Sequence, residues 1–311
     1  MTGFAGRSAD AALLARIRAG QVGGVILFGG NVGPTDADTA RLVARLQQAA
    51  AAGGNPPLLV AVDQEGGAVK RFPEAPPTLS AAAMGRDGSA ARARAEGAAA
   101  GAYLRNLGID VDLAPVLDAP DSPDSFLGSR AFSDDPKLNA KLGSAFAAGL
   151  QSRRVAATAK HFPGLGAARA NTDERAVVVS APRDELDRGL TPFAAAVAHG
   201  VKLVMVANAA YRPYSGRTPA VLSRKIVTGL LRRQLGFGGV VISDALETPA
   251  TSGRSPTEAA GAGVDVLLYT NESDAATAYR ALLDAAKRGE VPTADLKASA
   301  ARIAALKHWL G

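Results

Sequence analysis

The chain has no cysteine among its 311 residues. That excludes a disulfide framework, a thiol nucleophile and a zinc site built on thiolates. Histidine is nearly as scarce. His161, His199 and His308 are the full set, and no two are spaced i, i+4, so no histidine-rich metal site can be built. No apolar run approaches the ~18 residues that a membrane-spanning helix requires. No charged and then apolar leader opens the chain, which begins Met1-Thr2-Gly3-Phe4. A phosphate loop is missing too, and the glycines of 24–30 lack the Gly-x-Gly-x-x-Gly dinucleotide fingerprint. Basic residues outnumber acidic ones, for a net charge of +6. Such a surplus fits an arginine-rich surface or a polyanionic partner. The basic residues run no longer than pairs (Lys70-Arg71, Arg153-Arg154, Arg224-Lys225, Arg232-Arg233) and are not interleaved with aromatics, so no nucleic-acid interface is expected.

What is present is ordinary globular composition, 47% hydrophobic and 21% charged. No low-complexity linker divides the chain, and one domain over 1–311 is expected. Short apolar runs occur at 2–6, 24–28, 58–63, 110–116, 157–162, 203–208, 239–244 and 265–270. Most are rich in Val, Ile and Leu without alternation, as in strands covered on both faces. Amphipathic stretches lie between them. Helices are predicted over 35–52, 136–150, 223–235, 274–288 and 293–308, with Ser223 as an N-cap and Gly236 just past the end of its helix. Eight strands alternating with helices imply an α/β fold, a single (β/α)8 TIM-type barrel. The run at 2–6 is the least marked of the eight. A doubly wound open sheet is the structural alternative.

In a barrel, chemistry belongs at the C-terminal ends of the strands. Here Asp63, Asp118, the Lys160-His161 pair, Asn208 and Asp244 close or follow apolar runs. A charge ending a run such as Gly-Val-Val-Ile-Ser-Asp must be paired or functional, because burying it alone is costly. A ring of structural ion pairs at the barrel mouth is one reading. The other is a pocket of carboxylates and cations for a polyhydroxylated substrate, with a carboxylate pair of the kind that hydrolyses glycosides.

At these residues the sequence resembles the glycoside hydrolase family 3 β-N-acetylhexosaminidases. The resemblance rests on Gly-Gly-Val-Ile-Leu-Phe (23–28), Val-Asp-Gln-Glu-Gly-Gly-Ala-Val-Lys-Arg-Phe (62–72), Leu-Ala-Pro-Val-Leu-Asp (113–118) and Ser-Arg-Ala-Phe-Ser-Asp-Asp-Pro (129–136). Lys-His-Phe-Pro-Gly (160–164) and Leu-Gly-Phe-Gly-Gly-Val-Val-Ile-Ser-Asp (235–244) complete it. Six segments in order span essentially the whole chain. The resemblance implies the barrel fold and a retaining hydrolase releasing terminal β-linked N-acetylglucosamine from oligosaccharide or cell-wall fragments, with no metal or organic cofactor. It implies Asp244 as nucleophile and Asp63, Arg71, Arg130, Lys160 and His161 as the substrate-binding set. The family usually carries a lead-in before its first strand, so an upstream segment is expected before Met1.

The sequence departs from the family at one functional point. The family signature runs on from Lys-His-Phe-Pro-Gly into His-Gly, four variable residues and Asp-Ser-His, whose last histidine is the acid/base. At unchanged spacing this chain places Leu165 at the first histidine, Asn171 at the orienting aspartate and Asp173 at the acid/base. Ala245 stands where relatives often carry another acid. Three readings follow. Asp173, or Glu174 beside it, supplies the proton; or the chain binds a sugar without turnover; or it acts on another glycoside, as the β-glucosidases and β-xylosidases of the family do.

Overall fold

The computed structural model describes residues 1–122, 124–254 and 256–311. Six parallel strands form its centre: β1 (Gly24–Leu27), β2 (Leu59–Val62), β3 (Val111–Asp112), β4 (Ala156–Phe162), β5 (Leu203–Val206) and β6 (Val240–Ser243). They are hydrogen-bonded in that order. Parallel neighbours need a crossover, and the intervening helices provide it on the outside of the sheet.

The sheet curls until its two edges are linked. Ile242 of β6 bridges Val266, Tyr269 bridges Thr2, and Thr2 bridges Val25 of β1, all in parallel. Backbone bonds from Ser243 N–H to the Val266 carbonyl (2.9 Å), Gly3 N–H to that of Tyr269 (2.8 Å) and Thr2 N–H to that of Gly24 (3.1 Å) carry the pairing across the seam. The architecture is thus the expected α/β barrel type. The stretches 2–6 and 265–270 contribute isolated bridges rather than the full strands expected. The regular strand within the run at 110–116 shortens to Val111–Asp112. Beyond it single backbone bonds continue to both neighbours, from Leu113 N–H to the Val62 carbonyl (2.8 Å), from Thr158 N–H to that of Ala114 (2.8 Å) and from Lys160 N–H to that of Pro115 (3.1 Å), and Val116 bridges Lys160.

The unbroken apolar character of the strands reflects two separate cores. Ile26, Leu59, Ala61, Val111, Leu113, Ala156, Met205 and Ile242 fill the barrel. Their sequence neighbours Val25, Val60, Ala157, Val204 and Val241 pack outward under the helices. Residue-by-residue alternation survives, but both faces are apolar.

Local chemistry starts the helices where the sequence places them. Thr35 accepts from Asp38 N–H (3.3 Å) while the Asp38 carboxylate accepts from Thr35 N–H (3.1 Å), a reciprocal cap that opens Asp36–Ala52. Asp135 caps Pro136–Gln151 by accepting from Lys137 N–H (2.9 Å), with Pro136 in the first turn where its missing N–H costs nothing. The segment predicted as an α-helix over 223–235 is wound as a π-helix, Lys225–Gln234, with Ile226, Val227, Leu230 and Leu231 buried. Gly236 follows it at φ +72°. Among the described residues, no helix is long and apolar enough to cross a membrane.

Candidate active site

The loop after β2 shows how sequence becomes a site. Asp63 and Glu65 are two residues apart in extended chain, so both point to one side. Gln64 points to the other. Its buried amide donates to the carbonyls of Phe72 and Pro76 (3.0 Å each) and accepts from the N–H groups of Arg71 (2.9 Å) and Phe72 (3.1 Å). Gly66 and Gly67, at φ +96° and +62°, make the reversal that brings Arg71 back. The Arg71 guanidinium then donates to Asp63 Oδ2 at 2.8 Å.

Across the barrel mouth, β4 supplies Lys160 and His161. In a regular strand, consecutive side chains face opposite ways. The register of β4 against β5 shifts between Ala159 and Phe162. The Lys160–His161 peptide is cis, and both side chains line the same cavity. Lys160 Nζ lies 2.8 Å from Asp63 Oδ1 and 2.6 Å from Glu65 Oε1. Arg130, from the Gly128–Arg130 turn, grips Glu65 through two parallel bonds of 2.9 Å. Two carboxylates and three cations thus alternate in one network: Arg71, Asp63, Lys160, Glu65, Arg130.

Electrostatics keeps this network ionised. Burial alone would raise Asp63, but Lys160 and Arg71 outweigh it and hold the carboxyl at about 2. Burial is likewise outweighed at Glu65, which Lys160 and Arg130 hold below the usual range. Burial would discharge Lys160; the two carboxylates push it up instead.

Asp244 follows β6. Its Oδ1 accepts from Ala245 N–H at 2.8 Å. Burial pushes this carboxyl above its ordinary range, opposed by His161 and reinforced by the negative charge of Asp173. Asp173 comes from the loop after Gly164. Asn171 shapes that turn by accepting from Asp173 N–H (3.1 Å), and its carbonyl accepts from Glu174 N–H (3.2 Å).

Asp63, Arg71, Arg130, Lys160, His161, Asp173 and Asp244 all line one cavity of about 270 Å³. Phe28, Leu113, Phe126, Leu165 and Met205 give it an apolar wall. Glu174 is the exception: it is exposed and does not line the cavity. A second cavity of about 240 Å³ lies at the opposite, N-terminal ends of the strands, among Gly23, Gly24, Leu59 and Val266, away from this constellation. His199 and His308 are exposed and line neither. Among the described residues, no group of three or more His, Asp or Glu is placed to hold a metal ion.

Two partners were not assigned roles from the sequence. Glu65 could have been found from its i, i+2 relation to Asp63. Asp118 was marked only as a polar residue after an apolar run; the structure places it against His161 Nδ1 at 2.7 Å.

A barrel with acids and cations gathered at its carboxyl end has the layout of a barrel enzyme, and comparison with known proteins gives the class. Residues 6–306 match the glycosyl hydrolase family 3 N-terminal domain, and the chain belongs to that family. It is 34% identical over 304 residues to a secreted glycosyl hydrolase of Arthroderma benhamiae, covering 94% of this chain and 86% of that one. It is 36% identical over 268 residues to a beta-hexosaminidase of Nitrosomonas eutropha, covering 82% and 75%. Among solved structures, the family 3 beta-N-acetylglucosaminidase of a Paenibacillus species superposes with a TM-score of 0.95 at 36% identity, over 100% of this chain and 61% of that one. The beta-N-acetylhexosaminidase of Beutenbergia cavernae gives 0.90 at 34% identity, over 99% and 96%.

Proposed function

We propose that this glycoside hydrolase releases terminal β-linked N-acetylglucosamine from oligosaccharide or cell-wall fragments, with retention at the anomeric carbon. The observation that carries the reading is one cavity holding both Asp244 and Asp173 beside the cationic network. Asp244 attacks the anomeric carbon as Asp173 gives its proton to the departing oxygen, leaving a covalent glycosyl-enzyme. Asp173, now ionised, takes a proton from water, and the resulting attack frees Asp244 and the sugar. Asp63, Arg71, Arg130, Lys160 and His161 hold the sugar hydroxyls and acetamido group. Glu174 is the less favoured proton donor, because it does not face the cavity.

Aryl β-glycosides of N-acetylglucosamine, glucose and xylose test the reading in one panel. It predicts turnover of the N-acetylglucosaminide well above the other two. Preference for glucose or xylose would move the assignment elsewhere in the family, and sugar binding with no turnover of any of the three would make the chain a binder.

A further inference from the structure

His161 is held by more contacts than sugar binding demands. Asp118, which has no exposed surface, accepts from His161 N–H (3.2 Å to Oδ1) and from Leu165 N–H (2.7 Å to Oδ1), while its Oδ2 meets His161 Nδ1 at 2.7 Å. Its backbone is fixed as well: Asn139 Nδ2 donates to the carbonyls of Leu117 (3.1 Å) and Asp118 (2.9 Å). The Tyr211 hydroxyl anchors the following turn through the Gly164 carbonyl at 2.9 Å. Burial works to raise Asp118, but the His161 ring and the surrounding N–H donors hold it below the usual carboxylate range. An ionised carboxylate only accepts, so the ring nitrogen it touches must carry the proton. Nδ1 is thereby committed, and Nε2 makes no hydrogen bond to the described residues. The ring lines the same cavity as Asp244.

We propose that Asp118 is a positioning residue that acts through His161: it holds the imidazole with the proton on Nδ1 and presents Nε2 to the ligand beside Asp244. The carboxylate sets both the tautomer and the plane of the ring, since the ring's own backbone N–H binds the same group. The link to a ligand rests on the sugar-cleaving reading; the state of the ring does not.

The test therefore has two arms. In the first, the histidines are labelled with 15N and the ligand-free protein is read by NMR, with the exposed His199 and His308 as internal references. The wild type should show a protonated Nδ1 on His161. In Asp118→Asn the side-chain amide can donate to the ring, so the proton should leave Nδ1 for Nε2. A bare Nδ1 in the wild type overturns the proposal, as does an Nδ1 still protonated in the variant. If Asp118→Asn does not fold, the wild-type spectrum alone decides. The second arm reads kcat/KM on the aryl N-acetylglucosaminide. Asp118→Asn should lower it roughly tenfold to a hundredfold, the loss seen when a metal-binding histidine is deprived of its orienting carboxylate, taken here as the scale. In a His161→Ala background the same change should have less than about a twofold effect, because the residue it acts through is gone. Equal losses in both backgrounds overturn the proposal. A wild type that turns over no glycoside removes the sugar-cleaving reading and leaves the NMR arm to decide.

Discussion

Asp244 is half-buried in the cavity, and its desolvation favours the protonated form of a carboxyl. Its folded-state pKa therefore lies above the unfolded one. Such a group adds no penalty below its unfolded pKa, about 4. As pH rises through the raised folded value, the unfolded state ionises more readily and stability is lost. Asp244→Asn removes the charge and keeps an oxygen for the Ala245 N–H. We expect turnover to fall at least about a thousandfold, as loss of a nucleophile implies, while the Tm at neutral pH rises above wild type. Thermal unfolding should show that gap closing as the pH is lowered toward 4. A lower Tm at neutral pH would contradict the burial argument. Asp173 makes a different prediction. Asp173→Ala should barely slow attack on a glycoside whose leaving group needs no proton, and should slow breakdown of the covalent intermediate. Added azide needs no base and should restore turnover as a glycosyl azide product. Glu174→Ala should change neither step. Rate loss in Glu174→Ala with none in Asp173→Ala would exchange the two roles.

At the scale of elements, the helices Ala90–Asn106 and Pro136–Gln151 depend on glycines that their intrinsic propensities disfavour. A Cβ on Gly97 would stand 2.2 Å from the Phe146 carbonyl oxygen, and one on Gly149 would stand 2.2 Å from that of Arg94. The two backbones pack nearly in contact. Gly97→Ala gains up to about 1 kcal/mol of helix propensity, but it must part the helices, and overpacking costs about 1–3 kcal/mol. We expect a net loss of roughly 1 kcal/mol in chemical denaturation; a more stable variant would show that the helices can separate freely. Much of the fold was legible from apolar runs because a barrel buries both faces of its strands, as at Val240–Ser243. The departures have local causes. Past Asp112 the third strand goes on only through single backbone bonds, where Pro115 can accept but has no N–H to give, and the stretches at 2–6 and 265–270 pair at single residues along the seam. The site was legible in its residues and not in its pairings. Asp63, Lys160 and Asp244 show themselves as charges ending apolar runs. That Glu65 bridges Lys160 and Arg130, or that Asp118 holds His161, depends on which loops meet across the mouth. Likewise, the choice between Asp173 and Glu174 depends on a turn shaped by Asn171, and neighbouring residues in a turn face different ways.

For the whole molecule, the curl of the sheet is what gives the scattered residues a common address. Asp63, Lys160 and Asp244 lie on strands far apart in sequence, and the barrel brings their ends around one cavity. Asp63, Lys160, His161 and Asp244 stand at strand ends, while Glu65, Arg71, Arg130 and Asp173 reach the cavity from the connecting loops. The measurement that reaches the centre of this reading is covalent trapping. A fluorinated N-acetylglucosaminyl fluoride, which forms the glycosyl-enzyme quickly and releases it slowly, should add one sugar mass to the protein. Peptide mapping should place that sugar on Asp244. A label on any other carboxylate, or steady turnover with no trapped intermediate and inversion of the product, would contradict it.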